Sequence, residues 1–158
     1  MKLYLSNKIE AGCDESGRGA LAGPVVAASV IFPKSFKCNE IKDSKTLSFT
    51  KRIVLEKIIK SNAIAFSIGV INVAKIDKVN ILNASILAMH KSIKNLKVTP
   101  EFLLIDGNKF KEYPGIMHKC IIKGDTKYQS VAAASIIAKN YRDRLMKKLD
   151  LKYPQYKW

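Results

Sequence analysis

Apolar residues fall along the chain in two rhythms, continuous short runs and a spacing of three and four, and each rhythm predicts its own kind of element. Residues 8–13 read as a short strand running into a glycine turn. "PVVAASVIF" (24–32) is a continuous, partly β-branched run, with Pro24 suited to a strand's first position. "SFTKRIVLEKIIKSN" (48–62) predicts a helix with Ser48 as N-cap and an apolar face of Ile53, Leu55, Ile58 and Ile59. "AIAFSIGVI" (63–71) is a further strand, and residues 73–96 form a helical pattern broken into a short and a long piece. "EFLLIDGN" (101–108) is a strand stopping at Asp106-Gly107, and 116–125 repeats that arrangement, ending at Gly124-Asp125. Val131, Ala134, Ala138, Tyr141, Leu145 and Leu149 then mark a long helix. The order β, β, helix, β, helix, β, β, helix predicts a mixed α/β domain, one sheet with helices packed on it. No repeat, linker or low-complexity stretch divides the chain, so residues 1–158 are expected to form a single domain.

Charge changes the picture modestly. Lys and Arg number 28 against 13 acids, a formal +15, which favours a polyanionic partner: nucleic acid first, an anionic membrane surface second. The abundance of Lys, Asn and Ile is also what AT-rich coding produces, so the charge permits such a partner without naming it. No apolar run reaches ~18 residues, and the N-terminus lacks the apolar core of a signal peptide. The three cysteines, Cys13, Cys38 and Cys120, show no metal-ligand spacing and fit reduced thiols in a cytoplasmic protein.

The acids are where the pattern turns chemical. Three of the predicted strands end at an acid: Asp14-Glu15, Asp106 and Asp125. Strand ends of an open α/β sheet form the usual crevice for a ligand. Carboxylate oxygens suit Mg²⁺ or Mn²⁺, and two such ions about 4 Å apart clamp an in-line phosphoryl displacement. On a regular strand Asp14 and Glu15 point to opposite faces, so a shared site asks for a turn or bulge, which Gly17 and Gly19 make cheap. Each acid also has a plainer reading. Asp106-Gly107-Asn108 is a competent turn, Asp125 can complement the N-terminus of the following helix, and Asp14-Glu15 can be a solvated turn.

Five stretches, in this order and spacing, carry a resemblance: "DESGRGALAGPVVAA" (14–28), "DSKTLS" (43–48), "IDKVNILNASILAMHKSI" (76–93), "IDGN" (105–108) and "KGDTKYQSVAAASIIAKNYRDRL" (123–145). Together they resemble ribonuclease HII, the type 2 bacterial ribonuclease H, over essentially the whole chain. The resemblance implies a ribonuclease H-like fold, a mixed five-stranded sheet with flanking helices. It implies hydrolysis of the RNA strand of RNA/DNA hybrids and incision 5′ to single ribonucleotides embedded in duplex DNA. Its four metal-binding acids fall on Asp14, Glu15, Asp106 and Asp125, which hold two divalent ions, Mg²⁺ or Mn²⁺. One ion activates water and the other stabilises the leaving 3′-oxygen, giving 5′-phosphate and 3′-hydroxyl ends. Gly17, Arg18 and Gly19 resemble the family's junction-reading loop, where backbone groups sense the ribose 2′-hydroxyl. Ser44 and Lys45 resemble phosphate contacts, with ordinary loop residues as the alternative. Lys139, Arg142 and Arg144 add phosphate charge or form a solvated face of the last helix. His90 and His118 show no partner pattern and read as structural or surface residues.

The related type 3 enzymes usually carry Gly-Thr-Gly where this chain has Gly17-Arg18-Gly19, so type 2 is the better match. Ala20 replaces a common proline. The chain stops at "YPQYKW" (153–158), where the family runs on into a His-Lys-Gly-Tyr segment whose tyrosine helps read the 2′-hydroxyl; neither Tyr153 nor Tyr156 takes its place in the motif. The expectation is a monomeric, cytoplasmic, metal-dependent endoribonuclease whose substrate reader is incomplete. A catalytically impaired hybrid-binding module is the alternative, and a general nuclease of the same fold explains the Gly17-Arg18-Gly19 loop poorly.

Overall fold

A computed structural model describes residues 1–158. It holds five strands: β1 (Glu10–Ser16), β2 (Val25–Ile31), β3 (Ala65–Ile71), β4 (Phe102–Asp106) and β5 (Met117–Ile121). Five helices accompany them: α1 (Phe49–Asn62), α2 (Val73–Val79), α3 (Ile81–Lys94), α4 (Gly124–Lys127) and α5 (Gln129–Lys152). The strands form one sheet in the order β3-β2-β1-β4-β5. β1 pairs parallel with β4 and β4 with β5, while β2 runs antiparallel to both β1 and β3. The expected mixed five-stranded sheet with flanking helices is therefore present. No helix is long and apolar enough to cross a membrane.

The unbroken apolar run of β2 makes sense as a central strand buried on both faces. Val26, Ala28 and Val30 pack with α5 and α1 through Ile136, Ile137, Leu55 and Ile59. Val25, Ala27 and Ile31 pack on the other face with Ala84, Ala88, Met89 and Ile93 of α3. Ser48 caps α1 as expected, its side chain accepting from the Lys51 N–H. The predicted break in the 73–96 helix falls at Asn80, whose side chain accepts from the Asn83 N–H and starts α3.

Two expectations are corrected. β1 does not end before Asp14. It runs on to Ser16 in continuous register with β2, with Asp14 opposite Ala28 and Glu15 opposite Ala27. No bulge intervenes, because the antiparallel neighbour β2 carries the ladder past the point where β4 stops. Asp125 does not end a strand either: β5 closes at Ile121, Lys123 takes a left-handed conformation (φ 55°), and Asp125 lies in the single turn of α4.

Two contacts fix α5, the helix that backs the site. Gly12 lets its N-terminal turn meet β1 directly, since a Cβ there would stand 2.3 Å from the Ser130 carbonyl carbon. Further along, buried Glu56 of α1 accepts from both Arg144 Nη atoms (2.8 and 3.0 Å), from Asn140 Nδ2 (2.9 Å) and from Lys60 (2.6 Å). Burial alone raises the Glu56 carboxyl, but these donors outweigh it and hold it down at about 2.

Gly12→Ala is expected to cost about 1–3 kcal/mol or more through overpacking against α5, read as a lower urea midpoint; an unchanged midpoint contradicts the close approach. The depressed Glu56 group contributes stability that is complete above the ordinary glutamate range and is lost as pH falls from there through about 2. The stability gap between the parent protein and Glu56→Gln is therefore expected to be of order 1–2 kcal/mol near pH 6 and to close progressively below pH ~4.5. A gap independent of pH rules out the ionised network.

Candidate active site

The parallel register of β1 and β4, which pairs Cys13 with Ile105, brings Asp14 and Asp106 level at the strand ends. Asp14 lies on the same face as Gly12 and so turns toward α5. Glu15 starts from the opposite face of the strand, and its longer side chain still reaches the cleft at the strand end. The cleft measures about 570 Å³ and is lined by Asp14, Glu15, Asp106, the 16–20 segment, Ser44 and Lys45. Arg52, Ser135, Lys139 and Arg142 complete its wall.

Asp125 is not on that wall; it is buried on α4, 3% exposed, within the field of Asp106. Lys45, with its side chain 82% exposed, extends to 3.9 Å from the Asp125 carboxylate. The structure thus brings all four predicted acids to one end of the sheet, three on the surface of the cleft and one behind it.

Their electrostatics are those of a like-charge cluster. Burial, with the charges of Glu15 and Asp106, holds the Asp14 carboxyl well above the usual carboxylate range. Burial and then Asp106 raise Glu15, partly offset by Arg18, whose Nη1 stands 3.8 Å from Oε1. Asp125 is raised by burial, then by Asp106 and Asp43. Each acid rests on a local group. The Glu15 N–H donates to Asp14 Oδ1 (2.7 Å) and the Gly124 N–H to Asp106 Oδ1 (2.6 Å). In this arrangement no three His, Cys, Asp or Glu side chains form a ready-made cation cage. The donor set nevertheless fits a divalent ion. It is all carboxylate oxygen, and a hard cation would relieve the burial and crowding of these groups while leaving them ionised.

The other predicted residues divide. Gly17, Arg18 and Gly19 line the cleft, with Gly17 at φ +107° where a side chain is strained. Ser44 is buried, with its hydroxyl 2.9 Å from that of Ser135. Lys139 faces the cleft and pairs with Asp143 at 2.7 Å. Of its two readings, phosphate charge and solvated helix face, Arg144 is outside the cleft wall, half-exposed and engaged by Glu56. His90 is structural, as read. Its Nε2 lies 2.8 Å from the Lys111 carbonyl, and its ring packs against Phe110 and Tyr113. His118 packs against Phe110.

Ser135 was not singled out by the sequence, although it tempers the rise of Asp14 and sits in the wall of the cleft. Its only signal was spacing: Ser135, Lys139 and Arg142 recur at four and three along α5, a polar stripe hidden in an apolar helix.

Comparison with known proteins follows the same lines. A family model described as Ribonuclease HII matches residues 11–158. A relative named Ribonuclease HII from Parabacteroides distasonis is 56% identical over 153 residues, covering 97% of this chain and 77% of the relative. Among solved structures, the ribonuclease H2 from Pyrococcus horikoshii superposes with a TM-score of 0.77 at 27% identity, covering 91% of this chain and 76% of that one. Bst-RNase HIII in complex with Mn²⁺ superposes with a TM-score of 0.76, covering 90% and 54%, and at 21% identity it shares the fold alone.

Removing one charge from the cluster should stabilise the protein. In chelator near pH 7, Asp14→Asn is expected to unfold about 1–2 kcal/mol less readily in urea than the parent. Because a raised carboxyl costs stability wherever the unfolded chain ionises more readily than the fold, that advantage shrinks as pH falls toward the ordinary carboxylate range. A less stable Asp14→Asn at neutral pH contradicts the like-charge account.

Proposed function

The chain belongs to the ribonuclease HII family, and we propose that it cuts the RNA strand of RNA/DNA hybrids in the cleft at the ends of β1 and β4. Family membership makes it an endoribonuclease. The observation that carries the choice of site is the gathering of Asp14, Glu15, Asp106 and Asp125 at one end of the sheet, where burial and then the charge of Asp106 raise Asp14, Glu15 and Asp125.

In this reading the four carboxylates hold two divalent ions, Mg²⁺ or Mn²⁺. The chemistry so supplied is an activated water and neutralised charge on the leaving 3′-oxygen. The chain's own residues orient the ligands: the Glu15 N–H steadies Asp14 and the Gly124 N–H steadies Asp106. Lys45, extended beside Asp125, and Lys139 on α5 reach the phosphate backbone, with Ser44 beside them. Such contacts set register and affinity, not sequence preference. The Gly17-Arg18-Gly19 turn lines the cleft wall, and in this reading its backbone senses the ribose 2′-hydroxyl. The cut falls 5′ to the ribonucleotide, in hybrids and at single ribonucleotides in duplex DNA, and leaves 5′-phosphate and 3′-hydroxyl ends. The enzyme acts as a cytoplasmic monomer without membrane contact, and the formal +15 charge draws it to its polyanionic substrate.

The test is cleavage of a labelled DNA duplex holding one ribonucleotide, with Mg²⁺ or Mn²⁺, by the parent protein, Asp14→Asn and Asp106→Asn. The parent is expected to cut 5′ to the ribonucleotide, and each variant to lose more than about 100-fold of that rate. Equal cutting by the variants moves the metal site elsewhere. Binding of the duplex without cutting at any metal concentration makes the protein a hybrid-binding module.

A further inference from the structure

Arg142 has a position that the four-acid site does not require. Its side chain runs inward from α5, 8% exposed, beneath the 17–24 loop that joins β1 to β2. Its Nε–H donates to the Pro24 carbonyl at 3.1 Å and its Nη2–H to the Ala22 carbonyl at 2.6 Å. The loop wraps the guanidinium closely: a Cβ at Gly17 would stand 2.5 Å from Nε, and one at Gly23 3.5 Å from Nη2. Both glycines hold positive φ, 107° and 84°. Outside the strand ladder, the loop has one backbone bond of its own, from the Ala20 N–H to the Gly17 carbonyl at 3.2 Å.

The chemistry of the contact is unusual for a buried cation. Arg142 makes no ion pair with any carboxylate; its hydrogen bonds go to loop carbonyls. A charge taken out of water without a counter-ion is costly, so a surface-exposed arginine serving only as positive charge has no reason to sit here. A planar fork donating to two carbonyls two residues apart fixes the loop in one position, which a lysine, with its single nitrogen, cannot reproduce.

We propose that Arg142 is a positioning residue for the substrate-reading loop: it holds the Gly17–Gly19 backbone at a fixed place relative to Asp14 and thereby sets how well a ribose 2′-hydroxyl is recognised. This rests on the loop being the ribose reader, as in the preceding subsection. The competing role is a simple phosphate contact, and Arg142→Lys separates the two, because it keeps the charge and loses the fork.

Two measurements on folded Arg142→Lys, with Arg142→Met beside it, test this. The first is amide hydrogen exchange of residues 17–23, which needs no catalysis. The second is kcat for the single-ribonucleotide duplex set against Kd for the same duplex. The expected result is loop exchange at least tenfold faster in Arg142→Lys and kcat at least tenfold lower, with Kd within threefold of the parent. The lysine variant alone decides if the methionine variant does not fold. Parent-like exchange and kcat in Arg142→Lys, or a loss confined to Kd, overturn the proposal and leave Arg142 as a charge contact. If the parent itself does not cut the duplex, the functional reading fails, while the exchange arm still reports whether Arg142 holds the loop.

Discussion

Four carboxylates gathered at the end of a parallel strand pair, with Asp106 common to the other three, are the constraint around which the rest of this molecule is arranged. Burial is the largest cost for Asp14, Glu15 and Asp125, and the charge of Asp106 adds to it in all three. A fold sustains such a cluster only where backbone geometry imposes it. Here β1 supplies two adjacent acids, β4 lies parallel beside it so that Asp106 arrives level, and the left-handed Lys123 turns the chain to bring Asp125 in from behind. Backbone N–H groups and nearby lysine and arginine soften the repulsion without removing it. That residual tension is what a divalent cation relieves, and it links the site's instability to its chemistry.

The scaffold that bears this tension is stiff in the right places. α5 is seated on β1 through Gly12 and bound to α1 through the buried Glu56 network, so the face carrying Ser135, Lys139 and Arg142 has a fixed height above the strand ends. One helix thus backs the acids, carries Lys139 into the cleft wall and holds the 17–24 loop. Precision at the cleft is inherited from packing well away from it.

Much of this was legible from the chain, and the exceptions have physical causes. The double-sided burial of β2, the Ser48 cap and the break at Asn80 all announce themselves through pattern and local hydrogen bonding. The four acids stood out as acids at predicted strand ends, a pattern that also admitted plain turns and a helix cap, and the resemblance singled them out together. The route by which they meet was misread. Alternation along a strand argued for a bulge at Asp14-Glu15, whereas the strand continues regularly and the cleft simply sits at its end, open to both faces. Asp125 looked like a strand terminus because local sequence does not reveal a left-handed residue at Lys123. Glu56 and Arg142 were invisible as buried groups, since all of the partners of Arg142 and all but Lys60 of those of Glu56 lie 84 to 120 positions away in the chain. Whether Arg144 served phosphate or a solvated helix face stayed open for the same reason: its partner is on α1.

The central claim is that the crowded acids are a cation site, and titration of Mn²⁺ followed by the loss of its free-ion paramagnetic signal tests it without reference to cleavage. The parent protein is expected to take up Mn²⁺ saturably, and Asp106→Asn, which removes the charge common to the other three, is expected to bind it at least tenfold more weakly while remaining folded. Equal uptake by the two proteins, or none by either, contradicts the account.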